Sequence, residues 1–492
     1  MIVRNITNNR IQSRPELVWI VVAILLFSSL AVGSVGTASG LNLVLLAVCV
    51  AVFILCVFVR YPHIPLSISL VGIQFYPLVA KSIGISTSPN LTAGLFIFLV
   101  LGYLPPLLYR DRSSILHLLW RKEVGVLVVF VVWMLSNWIA LAYDNPIGTK
   151  RLFGFAPTLM IAPFLAGLLL TEAQLKQLAW SIVVLGVISM LLILNQYIIN
   201  GQPLTNLAVN TRVSIEETTN HLRVAYANGL AAVIFFVLIS SQRDLRHKKL
   251  WFYGMIGTFV LAVFLILAAG TRGPLLAILA SVLTVLAVSG KLKKMRSLSA
   301  VFVVLFVLLG LTSFLPDWII ERYLQFGGLF TGNVSDEFLI ALSSNRWATW
   351  RFALNLWWAS PIWGIGIGNV EGGVLGKFVH NFMLETLVEL GIVGLFILVT
   401  ILLMLVKGIY HLIQIASQST STQIIIAFVV YSFINMSFSG ILQIQSVFWL
   451  SCGLGLSTLM SASLKDNHLS GAGYIKNRIS NPANVQSDKF VL

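Results

Sequence analysis

Charge is scarce in this chain: Asp, Glu, Lys and Arg make up 10% of its 492 residues, against 58% hydrophobic ones. Soluble domains carry about 25% charged residues, so the composition excludes a large soluble protein. Cysteine is scarcer still, and Cys49, Cys56 and Cys452 all lie inside apolar runs. That excludes a disulfide framework or a cysteine zinc site, and leaves them as small buried apolar residues. Acidic residues are few, 17 against 32 Lys and Arg. The adjacent pairs Glu216-Glu217 and Asp336-Glu337 have no third ligand nearby in sequence, so neither a metal nor a cofactor is expected. Internal repeats and a separate soluble domain are also missing.

Apolar length is what the chain has in abundance. Mean hydropathy is +0.92, and runs able to cross a hydrocarbon core, about 20 helical residues, recur near 17–33, 41–59, 64–84, 91–109, 124–143, 152–170, 178–199, 225–241, 251–268, 272–289, 298–315, 381–406, 423–440 and 443–461. The expected fold class is an all-α polytopic membrane protein with about 12–14 transmembrane helices and one long periplasmic loop containing short interfacial helices. The layout read from these runs is a cytoplasmic tail at 1–16, transmembrane helices 1–11 over 17–315, the long loop at 316–380, helices 12–14 over 381–461, and a cytoplasmic tail at 462–492. That last tail has too few apolar residues for a core and reads as disordered.

The formal charge of +15 then has a topological explanation. Cytoplasmic loops hold the Lys/Arg excess, and with the N-terminus inside, most of the basic residues fall in inner segments. Both termini are therefore expected in the cytoplasm, and nucleic acid is not an expected partner. The basic start followed by an apolar run imitates a signal peptide. The second run follows at once, and the topology works with the first retained, so an uncleaved helix is expected.

Polar residues on the outer side are the informative ones. Residues 200–224 hold Arg212, Glu216, Glu217, His221 and Arg223 just before a span, and Arg272 in AAGTRGPLLAILAS sits at a membrane boundary. An Arg within a span costs about 2.5–3.5 kcal/mol, a cost that snorkelling lowers at the boundary. Each Arg taken alone reads as an interfacial anchor. From Asn345 a helical run extends to Ser360 and stops before Pro361, as a pre-proline position requires. Trp347, Trp350, Arg351, Leu354, Trp357 and Trp358 share one side of that helix. Such a stripe fits an aromatic anchor or a sugar-stacking platform, although an anchor alone does not need Arg351.

Next come WGIGIGN, whose glycines permit a tight turn or a close approach, and HNFMLETLVELGIVG, which opens a span. Asn381, Glu385 and Glu389 recur at i, i+4 and i+8 as one polar stripe, and carboxylates at that depth should face a cavity or a partner. His380 precedes them. An imidazole with an ordinary pKa of about 6.5 is mostly neutral at pH 7 and can accept a proton, so a base and a structural role are both open to it.

The ordered strings RWATWRFALNLWWASPIWGIGIGN and HNFMLETLVELGIVG resemble the O-antigen ligase and O-antigen polymerase superfamily of bacterial envelope glycosyltransferases. TRGPLLAILAS and RVAYANGLAA are similar to two further span starts of that family. Where many relatives place an acidic residue or proline before the Asn, this chain has VAYAN, which leaves the role of Asn228 open. The resemblance implies an enzyme of the bacterial inner membrane. It would act at the periplasmic face on an oligosaccharide carried by undecaprenyl diphosphate, in polysaccharide or lipopolysaccharide biosynthesis.

It further implies that His380 is the acceptor-activating base, that Arg223 and Arg272 bind the diphosphate with help from Arg346 or Arg351, and that Asn381, Glu385 and Glu389 support them. Implied partners are the lipid-linked oligosaccharide, an acceptor glycan or lipid A core, membrane lipids, and chain-length regulator and flippase proteins. Extension of a surface polysaccharide by a metal-independent, inverting displacement is the expectation. Transfer of finished glycan to lipid A core is the alternative within the family. A solute or inorganic-carbon transporter is the alternative of another class, and it should show paired broken helices and an ionisable site at the midplane.

Overall fold

Backbone polar groups have no water to bond inside a bilayer, so long apolar runs are stable there only as helices or closed barrels. The computed structural model describes residues 54–71, 89–110, 122–199, 221–241, 249–268, 271–290, 346–374, 379–416, 419–439 and 442–457. Among them helix dominates and no strand occurs. The protein is an all-α polytopic membrane protein. Five of the described helices are long and apolar enough to cross a membrane. The apolar runs at 17–33 and 298–315, most of the 316–380 loop and the tail from 462 lie outside the described residues.

In chain order the helices are α1 (His63–Leu70), α2 (Pro89–Arg110), α3 (Lys122–Leu141), α4 (Pro146–Leu169), α5 (Glu172–Ile199), α6 (His221–Ser241), α7 (Lys249–Ala268), α8 (Arg272–Val288), α9 (Arg346–Ala359), α10 (Phe382–Ala416), α11 (Thr420–Ser439) and α12 (Ser446–Ser457). Helix α8 packs on α11 and α6, α6 on α5 and α7, α3 on α10, and α9 on α10. Their shared core centres on Trp449 of α12, which packs against Phe130, Phe164 and Phe448 at ring-centroid distances of 6.3, 6.4 and 5.3 Å. Small residues let backbones approach, as membrane helices commonly require. A Cβ on Gly453 would stand 2.1 Å from the Phe164 carbonyl oxygen, so α4 and α12 touch main chain to main chain there.

Two departures from regular helix position the polar end of the bundle. The first is a π-helical stretch of 12 residues, Lys150–Ile161, within α4. Such wide turns are rare and concentrate at functional positions, and Pro157 within it has no N–H to give. The second is a break in α10 at Gly391, which has φ 69° and ψ −173°. Residues 382–390 thus form a short helix of their own, and residues 392–416 extend roughly 37 Å at 1.5 Å per residue, enough to span a bilayer unaided.

Candidate functional site

The break in α10 frees backbone carbonyls that a buried helix end must satisfy. The glycine loop at residues 361–369 does this. Ile365 N–H donates to the Val388 carbonyl at 2.9 Å, Gly366 N–H to Glu389 at 3.1 Å, and Ile392 N–H donates back to Pro361 at 2.9 Å. Helix α3 closes the other side. Trp133 Nε1 donates to the Leu390 carbonyl at 3.0 Å. Asn137 Nδ2 donates to the Trp363 carbonyl at 2.8 Å, while its Oδ1 accepts from Ile367 N–H at 3.0 Å. Trp133 and Trp363 stack with centroids 5.1 Å apart. The approach needs glycine, since a Cβ on Gly364 would meet the Glu389 oxygen at 2.4 Å. A tight turn was legible in WGIGIGN; its docking against α3 and the α10 break was not.

His380 stands at the other end of the 382–390 helix, half-buried. Its φ of 63° makes it the sole non-glycine residue with positive φ among the described residues. That conformation is tolerated by His better than by most side chains, and strain of this kind persists only where neighbours hold it. Three neighbours do. Trp350 Nε1 of α9 donates to the Val379 carbonyl at 3.0 Å. Asn381 Oδ1 accepts from Leu384 N–H at 3.0 Å, an N-cap bond that starts the helix. The Phe382 ring lies 5.7 Å from Phe433 and 5.6 Å from Phe448.

Phe433 belongs to the second half of α11, and that half gathers the arginine-bearing segments as well. Arg346 Nη1, at the start of α9, donates to the Phe438 carbonyl, and burial holds its guanidinium below the ordinary arginine range while nearby Tyr226 opposes the shift. An arginine lowered in this way stays charged. A Cβ on Gly273, next to Arg272, would lie 3.5 Å from the Phe438 Cβ. Tyr431 Oη donates at 2.7 Å to the carbonyl of Tyr226, three residues beyond Arg223. The segments that carry residues 223, 272, 346 and 380 therefore each touch the second half of α11; the side chains of Arg223 and Arg272 lie outside the described residues. Arg351 is exposed on the far side of α9, whose packed side carries Thr349 and Ala353. The aromatic stripe is split accordingly. Trp350 and Trp357 pack inward, whereas Trp358 and Leu354 are exposed. Asn228, fully buried, accepts from Ser189 Oγ at 2.8 Å and links α6 to α5.

The carboxylates Glu385 and Glu389 have a partner that the sequence reading did not single out, Arg151. Its Nη1 donates to Glu385 Oε1 at 2.6 Å and to both oxygens of Glu389 at 3.1 and 3.0 Å. Its Nη2 donates to Glu371 Oε2 at 2.7 Å. The guanidinium is 2% exposed, as is Glu389, and Glu371 at 31% is the cluster's edge toward solvent. One signal pointed this way: two carboxylates on a membrane helix require a cation, and Arg151 opens the apolar run at 152–170 at the same end of the bundle.

A helical membrane bundle whose polar end unites a strained histidine, several arginine-bearing helix starts and a buried ion cluster defines the class of protein. Residues 257–399 match the family model described as O-Antigen ligase, which supports the O-antigen ligase and O-antigen polymerase superfamily for this chain and implies a glycosyltransferase-like enzyme working on a lipid-linked glycan and an acceptor. The match runs from α7 through the glycine loop and His380 into α10. No curated protein matches the chain.

Proposed function

We propose that the protein extends a surface polysaccharide at the periplasmic face of the bacterial inner membrane, transferring oligosaccharide from undecaprenyl diphosphate to a sugar hydroxyl. The observation that carries this reading is the convergence on α11 of the His380 turn with the helix starts bearing Arg223, Arg272 and Arg346. In the transfer the acceptor oxygen attacks the donor C1 from the face opposite the diphosphate. The C1 to phosphate-oxygen bond breaks with inversion, and the acceptor's proton passes to His380. Undecaprenyl diphosphate leaves as an anion. Planar, always-charged guanidinium groups stabilise that departing charge without a metal, by bidentate contacts. Arg346 is tied to α11 through Nη1, which fixes its planar head at that stretch of the helix.

The transporter alternative calls for paired broken helices around a midplane site. The break at Gly391 is followed by a full membrane length of helix, so the ionisable residues before it belong to one end of the bundle. That arrangement favours work on lipid head groups.

The glycan of a deletion strain tests the reading. Chains stopped at a single repeat unit are the expected result. Long lipid-linked polymer that never reaches lipid A core would replace extension by ligation, and unchanged glycan would overturn both. Arg272→Lys probes the diphosphate role in the purified protein. Lysine keeps the charge and loses the planar fork, so turnover should fall by at least about 10-fold, the weight of a single charge-assisted contact of 1.5–3 kcal/mol. Wild-type turnover in that variant would remove Arg272 from the site.

A further inference from the structure

We infer that Arg151 is a positioning residue for the transfer proposed above, on which this inference rests: it fixes the short helix 382–390 and so the turn that presents His380. That helix is too short to be stable by itself. It begins at a histidine with positive φ and ends at a glycine with positive φ, so its two junctions are backbone turns rather than continuous helix. Something must therefore set its rotation and height, and the Arg151 guanidinium is built to do so. Nη1 grips Glu385 and Glu389, one turn apart on one face, and Nη2 grips Glu371 in the π-turn Val370–Val374 beyond the glycine loop. Glu385 lies five residues from His380, roughly 7–8 Å along a helix axis.

The base of this grip is itself anchored. Asn145 caps the start of α4, accepting from Ile147 N–H at 2.8 Å, and donates through Nδ2 to Asn369 Oδ1 at 2.5 Å. Helix α4 thus holds the loop at Asn369, the π-turn at Glu371 and the helix at Glu385 and Glu389, all within the 20 or so residues that lead to and follow His380. Arg151 cannot share the role of the diphosphate arginines, because both terminal nitrogens are committed to carboxylates and the side chain is buried. Nor does net stability explain it well, since buried ion clusters are often no more stable than apolar packing of the same volume. What three carboxylates on one planar fork do provide is a single geometry. Lysine, a point charge on a flexible stem, would not reproduce it.

The test uses the full-length protein in lipid nanodiscs with lipid-linked donor, and turnover is expressed per donor-binding site so that a reduced active fraction does not enter. Arg151→Lys should lower kcat by 10- to 100-fold and leave KM for the donor within 2-fold. Glu371→Gln, which loosens one of the three holds at the more exposed end, should lower kcat by a smaller factor with the same unchanged KM. A wild-type kcat in Arg151→Lys would overturn the inference, as would a loss expressed in KM, which would assign Arg151 to donor binding. Failure of both variants to reach the membrane would also overturn it in favour of a purely structural cluster. His380→Ala in the same assay keeps the two claims apart. Retained activity there sinks the catalytic reading, whereas an inactive His380 variant beside fully active Arg151 and Glu371 variants sinks this inference alone.

Discussion

Replacing His380 with alanine should lower turnover by about 10²–10⁴-fold, the range that a positioned general base contributes, while the lipid-linked donor still binds. The donor's diphosphate is assigned to arginines on other helices, so its affinity does not depend on the imidazole. One complication is conformational. His380 has φ 63°, and alanine tolerates that region poorly, so a loss in His380→Ala mixes backbone strain with missing chemistry. His380→Asn separates them, because asparagine is among the few residues that accept positive φ readily and its amide cannot take a proton near neutral pH. Both variants should be inactive. Activity retained in His380→Asn would mean that position 380 serves the site through its backbone shape, and the base would have to be sought elsewhere at that end of the bundle.

How far the site could be read in advance follows from which interactions are local. The membrane class came from composition, which no tertiary contact alters. The stop of α9 before Pro361 is determined within a few residues and stands where the pattern put it; the N-cap bond of Asn381 is equally local, although the pattern showed Asn381 only as the first member of a polar stripe. Arg151 is different. Its partners are 220 to 238 positions away in sequence, and a lone Arg at the head of an apolar run reads as an anchor until its surroundings are known. The aromatic stripe of α9 was legible as a stripe, yet the edge of its packed face runs between Trp350 and Arg351 and depends on where α10 lies. Glu385 and Glu389 were legible as a pair in need of a partner. That they sit on a separate short helix was not, because VELGIVG is apolar enough to continue the span.

The glycine in that string carries the second large expected effect. At Gly391, φ 69° and ψ −173° fall in a region open essentially to glycine alone. A Cβ there would also stand 1.9 Å from the Ile362 oxygen and 2.7 Å from the Gly364 nitrogen. Gly391→Ala therefore faces conformational strain of about 1–3 kcal/mol together with a main-chain clash that no side-chain rotation relieves. Two responses are open to the chain. The glycine loop can withdraw, which breaks the bonds that Ile365 and Gly366 now make to the carbonyls of Val388 and Glu389. Alternatively the 382–390 helix can straighten onto residues 392–416, which swings Glu385 and Glu389 off Arg151 and moves the His380 turn. Either displaces the proposed base by more than the ångström that can cost about 100-fold in rate. Turnover in Gly391→Ala should fall at least that far, with helical content by circular dichroism unchanged because both helical pieces persist. Gly125→Ala on α3 is the matched control, since nothing lies within 4 Å of its Cβ position, and it should behave as wild type. Full turnover in Gly391→Ala would show that the broken geometry of α10 is dispensable, and with it the placement of His380 on which the reaction is built.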